Sequence, residues 1–311
     1  MSTQDTTAES RTVEERPEAH RPSRQRRIPT AIWWMVVPAF VLFFVFHTIP
    51  VFTGIYYSFT NFAGYGDYRF VGFSNYANLF RDSEVFGAYR FTFLFAFVAT
   101  VLTNVIALAI AVGLNARIKL KTTFRAIFFM PHVLAILIVG YVFNYLFANS
   151  LPVVAEGMGV NALSTSILAN PDLAWVGVVI LAVWQSAAFN IILYLAGLQT
   201  VPSEVYEAAA LDGASPRQQF FRITFPLIAG FFTINMVLSL KNFLQVFDHI
   251  IALTDGGPGT STQSISVLIY RGGLQGGEYA YQTANAVIYL IVIVVLSVVQ
   301  FRFLQRREAS F

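Results

Sequence analysis

The chain has 311 residues, of which 56% are apolar and 12% carry a charged side chain, against about 25% charged in a typical soluble domain. So few charges cannot cover the surface of a soluble protein, which excludes that class. The net charge of +3 gives no reason to expect nucleic-acid binding, and the absence of cysteine excludes disulfides and thiolate chemistry.

Residues 1–30 differ in composition from the rest of the chain. They hold six arginines, five carboxylates and three prolines, with few large apolar side chains. Such a segment cannot bury enough apolar surface to fold, so we expect a disordered cytoplasmic tail. Arg26 and Arg27 would also suit a twin-arginine export signal. The apolar run that follows is too long for a signal sequence and has no small-residue cleavage site.

Six apolar stretches follow, each near the length of about 20 residues that crosses a bilayer. They cover residues 31–59, 91–114, 126–148, 173–198, 225–247 and 280–301. We therefore predict an all-α integral membrane protein with one six-span domain at residues 31–303 and a cytoplasmic C-terminal tail at residues 304–311.

Lysine and arginine are distributed unevenly around these spans. The N-terminal tail, the loops after the second and fourth spans and the C-terminus hold fifteen of them, whereas the other three loops hold four. Because short cytoplasmic loops retain the positive charge, both termini are predicted to face the cytoplasm. The same rule places residues 203–224 there.

The first outer loop contains the sequence SNYANLF. It puts Tyr76, Leu79 and Phe80 at positions i, i+3 and i+4, which predicts a short helix lying on the membrane surface. Interfacial aromatic residues without a partner are the alternative.

The loop between the fourth and fifth spans predicts two helices joined by a turn. The first starts near Ser203 and is rich in alanine. Gly213 stands where a left-handed C-terminal cap is needed. Ser215, Pro216 and Gln218 then match a capping box with proline at the first helical position.

The alanines leave one side of the first helix nearly flat, so another protein can approach closely. Glu207 and Asp212 offer charge to that partner. A short helix that only lies against its own bundle is the alternative reading.

The same stretch resembles the EAA signature of permease subunits from binding-protein-dependent ABC importers. The signature reads Glu-Ala-Ala, three residues, Gly, nine residues, Ile-x-Leu-Pro, and this chain departs from it only at Phe225, which replaces the leucine. The resemblance implies the type I importer permease fold, in the bacterial cytoplasmic membrane, with a cytoplasmic coupling helix. The coupling residues it implies are Glu207, Ala208, Ala209 and Gly213, with Asp212 as a neighbour that shares the contact.

The resemblance also implies a set of partners. These are two ATPase subunits, an extracytoplasmic solute-binding protein and a second permease subunit. The resemblance implies that the two permease subunits form a heterodimer, although the sequence leaves a homodimer open. No lysine follows a glycine, so the chain has no phosphate-binding loop of the ATPase type. ATP and Mg are therefore expected in the ATPase subunits, with no cofactor in this chain.

Two further stretches are similar to the carbohydrate branch of the family, the maltose-type permeases. They are FVGFSNYANLF before the second span and ALTDGGPGTST after the fifth. A sugar or oligosaccharide is the cargo that this similarity implies. A polyamine or a glycerophosphodiester is the alternative cargo, and a secondary transporter is a more distant alternative.

Polar side chains mark a candidate substrate pathway. Within a span such groups face the bundle interior or a wet cavity, and amides suit hydroxyl-rich cargo. On the fifth span an arc of about 140° holds Asn235, Lys241, Asn242, Gln245, Asp248 and His249. The fourth and sixth spans add Trp184, Gln185, Asn190, Gln282, Asn285 and Tyr289.

Some of these residues have simpler roles open to them. Lys241 also suits snorkelling to the membrane surface, Trp184 suits packing, and Asp248 suits interfacial solvation. The sequence shows no metal-ligand spacing and no nucleophile beside a base, so we expect a transport component rather than an enzyme.

Overall fold

The computed structural model describes residues 30–116 and 119–308. Residues 1–29, almost all of the predicted tail, lie outside the described residues. Contacts divide the chain into two units, residues 1–50 and residues 51–311. In the described residues the only β-type pairing is an isolated bridge between Thr60 and Phe70. The all-α prediction is confirmed.

Fifteen α-helices are present in the described ranges. In chain order they are α1 (Thr30–Phe43), α2 (Ile49–Tyr57), α3 (Ser74–Leu79), α4 (Ser83–Asn115), α5 (Lys121–Val133), α6 (Ile136–Tyr145), α7 (Leu151–Gly157), α8 (Ala174–Gln199), α9 (Ser203–Leu211), α10 (Pro216–Gln219), α11 (Phe225–Leu227), α12 (Ala229–Leu244), α13 (Asp248–Leu253), α14 (Ile265–Tyr270) and α15 (Tyr279–Glu308). Wider π-helical turns lie at Phe44–Thr48, Leu146–Ser150, Phe220–Thr224 and Arg271–Gln275, and short 3₁₀ turns lie at Asn161–Leu163 and Ile167–Ala169.

Six membrane crossings can be drawn through the described residues. Five are single apolar stretches: Val36–Tyr57, Ser83–Asn115, Ile136–Gly157, Ala174–Gln199 and Tyr279–Gln305. The sixth is the pair Pro216–Leu227 and Ala229–Leu244, which bends by 70°. Counting this bent pair as one crossing gives the six predicted spans. Helix α15 continues to Glu308, beyond the predicted start of the C-terminal tail at residue 304.

The third span differs from the prediction. We expected one crossing at residues 126–148, but α5 ends at Val133, and the crossing begins at Ile136. The backbone is extended at Leu134, whose carbonyl accepts a hydrogen bond of 3.1 Å from the Gln185 side chain. Since a freed carbonyl in a membrane must find a donor, this amide stabilises the break.

The fifth span also differs. Residues 225–247 were predicted to form one span, but the chain bends at Ile228, and α12 ends at Leu244. Pro226 lies just before the bend, and proline is the usual cause of a sharp kink. Gln245, Asp248 and His249 therefore do not continue the helical arc that begins at Asn235.

The core of the second unit lies where α4, α8 and α12 pack together. Small side chains on α4, including Ala96, Ala99, Ala107 and Ala111, are completely buried at helical spacing. They let the neighbouring helix approach closely, as is usual for helices packed in membranes. Near the bend, Ile228 is buried against Tyr194 and Leu198 of α8.

Candidate coupling segment and polar pathway

The predicted helix–turn–helix at residues 203–224 is present. Gly213 follows α9 with φ of +77°, the left-handed conformation that the sequence predicted. Its N–H donates to the carbonyl of Ala210 at 3.1 Å, and the N–H of Ala214 donates to Ala209 at 2.9 Å. This pair of bonds is the Schellman motif, and it satisfies two carbonyls at the end of α9.

The second helix starts with the predicted capping box. The backbone N–H of Ser215 donates to Gln218 Oε1 at 2.8 Å, and the N–H of Gln218 donates back to Ser215 Oγ at 3.4 Å. Pro216 occupies the first helical position, where its missing N–H costs nothing. From here the chain is helical, through the π turn, as far as the bend at Ile228.

The candidate coupling residues differ in exposure. Glu207, Ala208, Asp212 and Gly213 are exposed, whereas Ala209 is buried against the rest of the chain. The hydroxyl groups of Tyr206 and Thr224 lie 3.0 Å apart and tie α9 to the helix that follows the turn. The segment therefore presents carboxylates and a small-residue surface outward on a braced support.

Leu211 was not singled out by the sequence analysis. It is 90% exposed at the end of α9. Beside Glu207 and Asp212, it gives the outward face an apolar side chain. In the sequence, Leu211 is a lone leucine just before a predicted helix cap. Without the structure, such a leucine cannot be distinguished from a core residue.

The twelve polar-pathway candidates fall into two groups. Trp184, Lys241, Asn242, Gln245 and Asp248 are exposed, and His249 is partly buried. The buried candidates are Gln185, Asn190, Asn235, Gln282, Asn285 and Tyr289.

The buried candidates on α8 and α12 bond within the chain. Asn190 donates to the Ser239 hydroxyl at 2.7 Å, which joins α8 to α12. Asn235 donates to the carbonyl of Phe231 on its own helix at 2.9 Å. The Asn190 bond suits helix–helix packing, where interhelical hydrogen bonds replace those that lipid cannot offer. Asn235 bonds only within α12, and its Oδ1 atom has no partner in the described residues.

The buried candidates on α15 do the same. Asn285 donates to Gln282 at 3.2 Å and accepts from the Tyr89 hydroxyl at 3.2 Å. The Tyr289 hydroxyl donates to the carbonyl of Leu244, which is the last residue of α12. Contacts of this kind hold α15 against α4 and α12.

One buried polar contact was missed by the sequence analysis. The Tyr194 hydroxyl donates to Asn104 Oδ1 at 2.7 Å and joins α4 to α8 in the middle of the bundle. Asn104 is the single amide in the predicted second span, at residues 91–114, and that isolation was the available signal.

Trp184 lies beside an apolar groove. Its ring is 40% exposed and packs at a tilt against Phe143, with ring centroids 5.2 Å apart. The groove, of about 560 Å³, is lined almost entirely by apolar side chains of α4, α5 and α8. The Trp184 ring is therefore placed as well for packing against a neighbouring apolar surface as for stacking on a sugar ring.

The predicted helix of the first outer loop is confirmed as α3. Leu79 is buried, Phe80 is 83% exposed, and the Tyr76 hydroxyl lies 2.6 Å from Ser58 Oγ. A pocket of about 520 Å³ opens beside α3, and its polar lining includes Asn61, Asn78, Arg81, Asp82, Glu278 and Tyr281.

Asp82 caps the start of α4 at this pocket. It accepts bonds from the N–H groups of Glu84 and Val85, and the Tyr281 hydroxyl donates to it at 2.7 Å. Burial raises the pKa of Asp82, but the Tyr281 hydroxyl and the two N–H groups outweigh it and leave the pKa below its ordinary value.

Comparison with known proteins places this architecture in a family. Residues 103–309 match the model of the binding-protein-dependent transport system inner membrane component. The chain belongs to this family. It is therefore an integral membrane permease of the ABC importer type.

Curated relatives cover most of the permease. The multiple sugar-binding transport system permease protein MsmF of Streptococcus mutans is 38% identical over 277 residues, which is 89% of this chain and 96% of the relative. The probable starch degradation products transport system permease protein AmyD of Thermoanaerobacterium thermosulfurigenes is 32% identical, over 89% and 95%. The sn-glycerol-3-phosphate transport system permease protein UgpA of Yersinia pestis is 28% identical, over 88% and 93%.

Solved structures agree on the fold. A permease chain of a bacterial ABC transporter for the acidic polysaccharide alginate superposes with a TM-score of 0.80 at 24% identity, covering 89% of this chain and 96% of that one. The same transporter in complex with a periplasmic protein that holds an alginate pentasaccharide gives a TM-score of 0.79. The predicted importer permease fold is confirmed.

Proposed function

We propose that this permease carries a sugar or oligosaccharide across the bacterial cytoplasmic membrane as one subunit of an ATP-driven importer. The observation that carries the cargo class is the 38% identity, over nearly the whole chain, to a permease named for multiple sugars. The starch-product relative and the alginate transporter support the same class.

The energy enters through the coupling segment. Glu207, Ala208, Asp212 and Gly213 form an exposed surface that docks on one of two separate ATPase subunits, which bind ATP and Mg. Ala209 supports that surface from beneath. The braced geometry of α9 and its turn supports this role, because a docking surface must keep its shape when a partner pushes on it.

Both termini and the coupling segment face the cytoplasm. The excess of lysine and arginine on this side supports that orientation. On the other side the permease receives cargo from an extracytoplasmic solute-binding protein. The periplasmic protein in the alginate transporter complex supports that partner.

A second permease subunit completes the pathway, as a heterodimer. Within this chain the pathway is lined by the exposed polar side chains at the end of α12 and just beyond, which are Lys241, Asn242, Gln245 and Asp248, with Trp184 at its edge. Among the buried candidates, Asn190, Asn285 and Tyr289 hold the wall together, because each bonds to a partner within the chain.

A phosphorylated glycerol is the second candidate cargo. A relative named for sn-glycerol-3-phosphate is 28% identical over most of the chain. The exposed ammonium group of Lys241 would bind a phosphate as readily as it would bind a hydroxyl. The identity is lower than that to the sugar relatives, so we rank this cargo second.

Uptake by the reconstituted complex separates the two. Proteoliposomes with the permease, its partner subunits and the binding protein are given ATP and either a radiolabelled oligosaccharide mixture or sn-glycerol-3-phosphate. We expect uptake of at least one oligosaccharide and none of the phosphate. ATP-dependent uptake of glycerol phosphate alone would replace the sugar proposal with the second candidate.

A further inference from the structure

A cleft opens between α5 and the C-terminal end of α8. Its volume is about 400 Å³, and its lining includes Arg125, Ala126, Phe129, Ile192, Leu195 and Gln199. Arg125 lies one turn into α5, and Gln199 is the last residue of α8. The cleft is therefore at the level where the spans meet the membrane surface.

Arg125 lacks a partner that its chemistry demands. Its Nε–H group is buried and donates no hydrogen bond to any acceptor in the described residues. The one ion pair recorded within the described ranges joins Arg271 to Asp255, elsewhere in the fold. A buried donor left unsatisfied costs about 1–3 kcal/mol. Arg125 as a whole is only partly buried and lines the cleft, so an acceptor that enters the cleft can contact its guanidinium group.

Within the described residues, Arg125 is the one charged side chain that lines the cleft, and two lysines precede it in the chain. Lys121, one turn before Arg125, reaches the carbonyl of Asn115 at 3.3 Å, and Lys119 lies just upstream. Neither α5 nor α8 carries a carboxylate. An anionic acceptor would complement the charge of Arg125, and the planar fork of a guanidinium group matches a phosphate.

The walls of the cleft are apolar. Phe129 and Ile192 are 36% and 40% exposed along its rim, and Leu195 is buried beneath them. A free phosphate would leave these walls without a partner. An acyl chain attached to the phosphate would cover them.

We propose that this cleft binds an anionic phospholipid, with its phosphate on Arg125 and an acyl chain along Phe129 and Ile192. With the orientation given above, the lipid comes from the cytoplasmic leaflet, where anionic headgroups and basic pockets between spans meet. The bound lipid contacts both α5 and α8, close to the break at Leu134 that Gln185 stabilises.

Native mass spectrometry of the purified full-length permease tests the headgroup. The probes are phosphatidylglycerol and phosphatidylcholine with identical acyl chains. We expect the permease to retain phosphatidylglycerol in preference to phosphatidylcholine. In Arg125→Gln this preference should fall about tenfold, as the removal of one charged hydrogen bond predicts. Arg125→Lys keeps part of the preference. Arg302→Gln, an exposed cation at the end of α15, is the matched control and keeps all of it.

A second variant tests the acyl chain. Ala196 is exposed and lines the cleft, so Ala196→Phe fills the groove while Arg125 stays in place. We expect phosphatidylglycerol retention to fall in this variant. Equal retention by wild type and Arg125→Gln would overturn the proposal, as would equal retention of the two lipids. Displacement of the lipid by millimolar inorganic phosphate would show an anion site and overturn the lipid assignment.

Discussion

Gly213 is the residue on which the shape of the coupling segment depends. Its φ of +77° costs a non-glycine residue about 1–2 kcal/mol, although a Cβ there would meet no atom within 4 Å. The cost therefore arises from backbone strain rather than from a clash. We expect Gly213→Ala to weaken docking on the ATPase and so to reduce uptake by up to about tenfold.

Two further variants check the reason. Gly213→Asn should keep most of the uptake, since asparagine tolerates the left-handed region. Gly113→Ala is the matched control: it also meets no atom within 4 Å, but it lies inside α4 with an ordinary φ. Equal loss in Gly213→Ala and Gly213→Asn would contradict the conformational argument.

Asp82 predicts a pH dependence of stability. Because its folded pKa lies below the ordinary value of 3.8, it stabilises the fold above that value, and the contribution is lost as pH falls through the lowered pKa. Asp82→Ala removes a helix cap, which costs about 1 kcal/mol. We expect thermal unfolding of Asp82→Ala below that of wild type at pH 7, with the gap closing below pH of about 4.

Asp67→Ala provides the control for that measurement. Asp67 is an exposed carboxylate in the same outer loop, and substituting it should leave unfolding unchanged at both pH values. A gap for Asp82→Ala that is constant with pH would show that the charge of the carboxylate contributes nothing.

At the scale of elements, the two groups of polar residues predict opposite effects. Asn190→Leu breaks the bond between α8 and α12, worth about 1 kcal/mol in a membrane bundle, and should lower the unfolding temperature without changing cargo preference. Asn242→Leu alters an exposed side chain and should change the relative uptake of different sugars at unchanged stability. The reverse pattern would mean that the pathway runs through the buried group.

The sequence predicted the coupling segment almost residue by residue. Its helix start, left-handed glycine and capping box depend on neighbours within a few positions, as at Gly213 and Gln218, so the signals are local. The break at Leu134 depends on an amide 51 residues away, and no local pattern carries that information. The polar arc predicted from Asn235 to His249 ends early for a similar reason. The hydroxyl of Tyr289 on α15 donates to the carbonyl of Leu244, where α12 ends, and this contact comes from a distant part of the sequence.

For the whole molecule, orientation is open to direct test, because the chain has no cysteine. Leu211 and Leu274 are 90% and 69% exposed on opposite sides of the predicted topology. We expect a membrane-impermeant maleimide to label Leu274→Cys in right-side-out vesicles and Leu211→Cys only in inside-out vesicles. Labelling of both from one side would contradict the topology.

We expect the permease to have no energy source of its own and to receive the energy of ATP hydrolysis through the coupling segment. The measurement is ATP-dependent uptake by proteoliposomes that hold the permease with its partner permease and are given the solute-binding protein, with or without the ATPase subunits. We predict uptake only when the ATPases are present, abolished by Glu207→Gln and retained by Glu204→Gln, an exposed carboxylate on the same helix. Accumulation of cargo at an equal rate without the ATPases would show that the permease does not depend on them for energy.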